Sequence, residues 1–239
     1  MTGSGINWIV LAIALGGGLV LLLRDWRYTV SALLFTYCGI ALFLAQQQFL
    51  RSDLQIAAQS LSTLVLIKLI TGVSATAILA ITAITFSREY NVEDLDEFSL
   101  TELRRAARRA QTVNAALPFR LGEYIVPLWT LVLAALASVA LPRLYPIGTN
   151  DIDFVWYWLG LIGLFTMISA ADLLKVGLGL LLCVESMMLL YTAVARNVQV
   201  IPLALLSLTT VVMALVVAYL SGLLYGRLKT LELNELYRR

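Results

Sequence analysis

Seven long apolar runs, separated by short polar breaks, make up most of the chain. Crossing a hydrocarbon core of about 30 Å takes around 20 mostly apolar helical residues, because lipid offers the backbone no hydrogen-bond partners. The pattern predicts spans at about Ile6 to Leu23, Tyr28 to Ala45, somewhere within Leu54 to Phe86, Tyr124 to Leu141, Phe154 to Ala171, Leu173 to Ala195 and Val200 to Tyr225. Arg24-Asp25-Trp26-Arg27 ends the first run, Gln46-Gln47-Gln48 the second and Pro142 the fourth. The third run exceeds one crossing, which predicts either a surface segment or a tilted helix. Phe154, Trp156, Tyr157 and Trp158 open the fifth as a cluster suited to a membrane interface.

The one long polar connection, Ser87 to Glu123, is acidic first and basic afterwards. Ser99-Leu100-Thr101-Glu102 has the form of a capping box, and Leu100, Leu103, Ala107, Ala110 and Val113 follow at helical spacing. This predicts an amphipathic helix at the headgroups, with Arg104, Arg105, Arg108 and Arg109 beside anionic lipid; the alternative is a docking site for a soluble partner subunit.

Composition strengthens the membrane reading: 60% of the 239 residues are hydrophobic and 13% charged, too few charges for a soluble surface. With no histidine and two cysteines, a catalytic triad, a histidine-held haem, a His-rich zinc site and a Cys₄ iron–sulfur cluster are excluded within this chain. We therefore expect no metal site and no cofactor here. Cys38 and Cys183 read as packing residues. A net charge of +2, with basic residues single or paired, gives no footprint for nucleic acid.

Charge also orients the chain, because loops rich in Lys and Arg stay cytoplasmic. With the N-terminus outside, thirteen of the 17 basic residues fall in inner segments and three in outer ones (Arg51, Arg143 and Arg196), Lys68 lying inside the third span. The expected fold is all-α, a polytopic protein of about seven transmembrane helices with the N-terminus outside and the C-terminus cytoplasmic. The first run has no basic residue before it and no small-residue cleavage site after it, as an uncleaved span would.

Two charges stand within the predicted spans. An unpaired charge at the bilayer centre costs at least about 2.5–3.5 kcal/mol, so Lys68 and Glu185 each need a partner, water or a function. They could pair to hold helices in register, or bind and release a proton, since burial disfavours the charged form of both; Lys68 could also snorkel to an interface. Asp172 and Lys175, three apart at the turn between spans five and six, read as a satisfied turn pair or a further relay. Gly16-Gly17-Gly18 and Gly177-x-Gly179 mark places where helices approach closely.

The last three spans carry a family resemblance. Gly163-Leu164-Phe165, Asp172-Leu173-Leu174-Lys175-Val176-Gly177-Leu178-Gly179, Glu185 and the tail from Arg227 to Leu236 resemble the three-helix K subunit (chain 4L) of respiratory complex I and the C subunit of Mrp-type sodium/proton antiporters. With its additional N-terminal spans and Lys68, the chain looks most like component E of hydrogenase-4-type membrane complexes. The resemblance covers roughly residues 160–239, and 1–90 only weakly.

It implies a membrane-arm subunit of the cytoplasmic (inner) membrane, carrying protons or sodium ions beside large antiporter-like subunits and a soluble redox arm, with no catalysis of its own. The family's first glutamate, anchored on Gly179, falls at Leu181 here, with Glu185 one turn on; its second belongs in the last helix, which has only Ser207, Thr209 and Thr210. The relay residues implied are Glu185 and Lys68; the other reading is a structural subunit with no ion path. In organisation we expect a three-helix module over 1–86, a cytoplasmic loop over 87–123 and a four-helix module over 124–239 whose last three helices are K-like.

Overall fold

A computed structural model describes residues 7–23, 25–47, 53–56, 59–92, 121–170, 172–195 and 200–228. The helices are α1 (Trp8–Leu22), α2 (Trp26–Gln47), α3 (Thr63–Val92), α4 (Leu121–Leu144), α5 (Asn150–Ile168), α6 (Leu173–Val194) and α7 (Val200–Leu228). Six of these seven are long and apolar enough to cross a membrane, and the protein is a helical, multi-pass membrane protein with one short strand pair among the described residues. α1, with 15 residues, extends about 22 Å at the usual rise and is shorter than a full crossing.

Before α3 stand two four-residue strands, β1 (Asp53–Ile56) and β2 (Gln59–Ser62), paired antiparallel with Leu54 opposite Leu61. This accounts for the over-long third run. Gln55, Gln59, Ser60 and Ser62 interrupt its apolar character, so the helix starts only at Thr63. Pro142 does not end α4, which continues to Leu144; a proline in the last turn leaves the following residues free to close on earlier carbonyls. α5 begins at Asn150, so the aromatic cluster lies in its second and third turns. The long connection is shorter than predicted, because α3 runs to Val92 and α4 starts at Leu121; Arg104, Arg105, Arg108, Arg109 and the capping box lie outside the described residues.

The helices form a ring. α1 packs on α2, α2 on α3, α3 on α7, α7 on α6, α6 on α5, and α5 back on α1, while α4 lies outside against α5 and α1. The three N-terminal and four C-terminal helices therefore interlock. α4 shows its apolar side chains, Val126, Trp129 and Leu136 among them, to the surroundings, as a lipid-facing helix does.

Glycines set the closest approaches. Three consecutive residues on a helix point in three directions, and the glycine triplet of α1 faces three neighbours: added methyls would come 2.5 Å from Thr36 Oγ1 of α2 at Gly16, 3.1 Å from Trp158 Nε1 of α5 at Gly17, and 3.2 Å from Leu131 of α4 at Gly18. Between α5 and α6 the backbones themselves touch, a methyl on Gly163 falling 2.7 Å from the Gly179 carbonyl oxygen. Gly177 likewise admits Val217 of α7.

Candidate functional site

Inside the ring, α2, α3 and α6 each turn one long polar side chain inward. The buried stripe of α3 runs through Val65, Lys68, Ala75, Leu79 and Ala83, and that of α6 through Leu178, Leu181, Leu182, Glu185 and Leu189. Helical periodicity thus aims Lys68 and Glu185 at the interior along with the apolar residues of the same face. Lys68 Nζ donates to Glu185 Oε2 across 2.5 Å, and the two side chains are 1% and 0% exposed. Lys68 is in the second turn of α3, about 8 Å along it, and Glu185 about 14 Å before the end of α6.

Glu185 Oε1 has no hydrogen-bond partner among the described residues. Close to the Glu185 side chain is Tyr37, from the α2 stripe Leu33, Tyr37, Ile40 and Leu44, all buried. Its hydroxyl lies within electrostatic reach of the Glu185 carboxylate but makes no hydrogen bond of ordinary geometry, and it too is buried without a partner. Gly72, one turn beyond Lys68, admits the Tyr37 ring: a methyl there would be 2.6 Å from Tyr37 Cβ.

Opposite charges in a medium of low dielectric attract far more strongly than in water, but each charge has lost its hydration, and the attraction offsets that loss only when the remaining lone pairs are satisfied. Oε2 is satisfied by Lys68. Oε1 is not.

No family model, curated protein or solved structure matches the chain. The site is therefore read from its own geometry.

The other predicted residues fall elsewhere. Lys175 is at the opposite end of α6, where Nζ donates to the carbonyl oxygens of Leu21 (3.1 Å) and Leu23 (3.2 Å) at the end of α1. A cation there satisfies carbonyls that have no partner within their own helix and complements the negative end of the dipole. Cys183 donates its thiol to the Gly160 carbonyl oxygen at 3.7 Å, a packing contact between α6 and α5. Among the described residues no three potential ligands gather around a metal position.

Two residues escaped the sequence reading. Tyr37 sits in an apolar run, and its only signal was a hydroxyl on a buried helical stripe. Asp153, in the first turn of α5, has the look of an ordinary helix-end carboxylate along the sequence, yet it is fully buried and binds the chain between α4 and α5: Oδ2 accepts from the Ile147 N–H (3.0 Å), and Oδ1 from the Gly148 N–H (2.9 Å) and Trp156 Nε1 (3.3 Å).

Proposed function

We propose that this chain is an integral subunit of an ion-translocating membrane complex, complex I-like or NiFe-hydrogenase-like, in the cytoplasmic membrane. In this reading it is oriented with its N-terminus outside, and Glu185 and Lys68 pass a proton between the large antiporter-like subunits at its sides; a sodium ion is the other cargo the resemblance allows. The observation that carries this reading is the buried Lys68–Glu185 pair with one carboxylate oxygen unsatisfied. An ion pair built only to join helices gains most when every lone pair is filled, whereas a bare oxygen inside the ring is a place for a proton to land.

The chemistry is a change of partner. With Glu185 ionised, its charge and that of Lys68 cancel. A proton taken up by the carboxylate leaves Lys68 with a neutral partner and a charge to share with the next group along the path. Loss of the proton restores the pair. Such a site has two states that differ by one charge, which is the minimum a relay needs.

A second reading, a structural subunit without an ion path, is favoured by the fact that the pair joins α3 to α6 across the ring. The experiment that separates them is Glu185→Gln in gently solubilised complex, recovered through a C-terminal tag with its co-purifying chains identified by mass. The relay predicts loss of ion transport per assembled complex, and the structural reading predicts lower yield with unchanged transport. A chain that purifies alone would refute both.

A further inference from the structure

The geometry points to Tyr37 as the third member of this site: we infer that Glu185 Oε1, the oxygen Lys68 does not engage, is where the proton is taken up, and that the Tyr37 hydroxyl holds this oxygen in both protonation states. The inference rests on the proton-relay reading and deepens it by assigning the atom and a positioning residue.

Two observations converge. Glu185 Oε1 and the Tyr37 hydroxyl are both buried and make no hydrogen bond of ordinary geometry among the described residues, and Tyr37 stands near enough to Glu185 for the carboxylate to act on its hydroxyl both by charge and as a hydrogen-bond acceptor. Leaving either polar group bare in an apolar interior costs about 1–3 kcal/mol, and a hydrogen bond between them would satisfy both at once. The phenol suits the task because it both donates and accepts. Ser186, adjacent to Glu185, is already engaged, donating to the Trp156 carbonyl oxygen at 2.7 Å. The remaining unpartnered indole, Trp158 Nε1, lies beside Gly17 of α1. Among the described residues, the charged group facing Glu185 is Lys68 from α3, and α2 contributes the neutral phenol.

The step balances simply. While Glu185 is ionised, the Tyr37 O–H donates to Oε1. A hydronium ion then gives its proton to Oε1: one O–H bond forms, one water is released, and the net charge of the trio rises from zero to +1, carried by Lys68. The new Glu185 O–H donates to the Tyr37 oxygen, whose own hydrogen has rotated aside. Tyr37 neither gains nor loses a proton.

The test is an acid-minus-neutral infrared difference spectrum of the full chain in lipid nanodiscs, read at the carbonyl stretch of protonated carboxyl groups. The Glu185 band is identified by its loss in Glu185→Gln. Tyr37→Phe keeps the ring against Gly72 and removes only the hydroxyl, so the band should persist and move to higher wavenumber as the carboxyl loses its partner. Gly72→Ala, which displaces the ring without touching the hydroxyl, should shift the band in the same direction. A band unmoved by Tyr37→Phe overturns the inference, and so does a wild-type spectrum with no Glu185 band. If the band shifts as expected while Glu185→Gln leaves transport intact, Tyr37 holds the carboxyl and the relay reading falls. If Glu185→Gln abolishes transport and the band does not move, the relay stands without Tyr37.

Discussion

Asp153 and Glu185 are both carboxylates with no exposure to solvent, and they are built in opposite ways. Asp153 has three donors on its two oxygens, two of them backbone N–H groups that fix the turn into α5. Glu185 has one cation on one oxygen, and its other oxygen is bare. Asp153 is committed to the backbone of one turn, whereas Glu185 spends one oxygen on a lysine from another helix and turns the other toward the interior of the ring. The contrast distinguishes a charge that holds the protein together from one that can work.

The largest expected effect comes from breaking the pair. Lys68→Met leaves the Glu185 carboxylate uncompensated in the ring and should cost about 3–5 kcal/mol, read as a large fall in the thermal midpoint in mild detergent. Lys68→Met combined with Glu185→Leu removes both charges and should recover most of that loss, with transport still absent. A double variant no more stable than the single one would show that the cost is lost packing and not a stranded charge.

Removing the saturated carboxylate should do less to stability and nothing to transport. Asp153→Ala strands the Ile147 and Gly148 N–H groups, for about 1–3 kcal/mol, while transport per assembled complex is unchanged. Loss of transport in that variant would erase the distinction drawn between the two carboxylates.

A pair of glycines supplies the scale for packing alone. Gly163→Ala pushes a methyl into the α6 backbone and should cost about 1–3 kcal/mol. Gly222 has nothing within 4 Å of the position its methyl would take, so Gly222→Ala should instead stabilise α7 by up to about 1 kcal/mol. Equal effects at the two sites would contradict the backbone contact between α5 and α6.

Much of this was legible along the chain, for physical reasons. Lipid imposes one rule on every spanning segment, so helix number and approximate ends follow from apolar length, and the glycine triplet announced close packing. Lys68 and Glu185 stood out because a charge within an apolar run is costly. Their contact was not legible, since it depends on which helices are neighbours, and hydropathy carries no information about the order of helices around a ring. Tyr37 was hidden because tyrosine is ordinary in a membrane helix, and its importance comes from a neighbour 148 positions away in the sequence. The hairpin was missed for a different reason: Leu54, Ile56 and Leu61 look like helix until the intervening Gln and Ser are weighed as strand alternation.

The Lys68–Glu185 pair joins residues 117 apart in the chain. At a synthesis rate of about 5–20 residues per second, Lys68 is made roughly 6 to 23 s before its carboxylate exists. During that interval α3 carries a cation with no partner, and its place in the second turn leaves the four-carbon stem free to reach the headgroups. Glu185, which lies deeper in its helix, enters last and finds the cation already present. The order of the two charges along the chain thus gives the long-stemmed residue the wait, and the short one none.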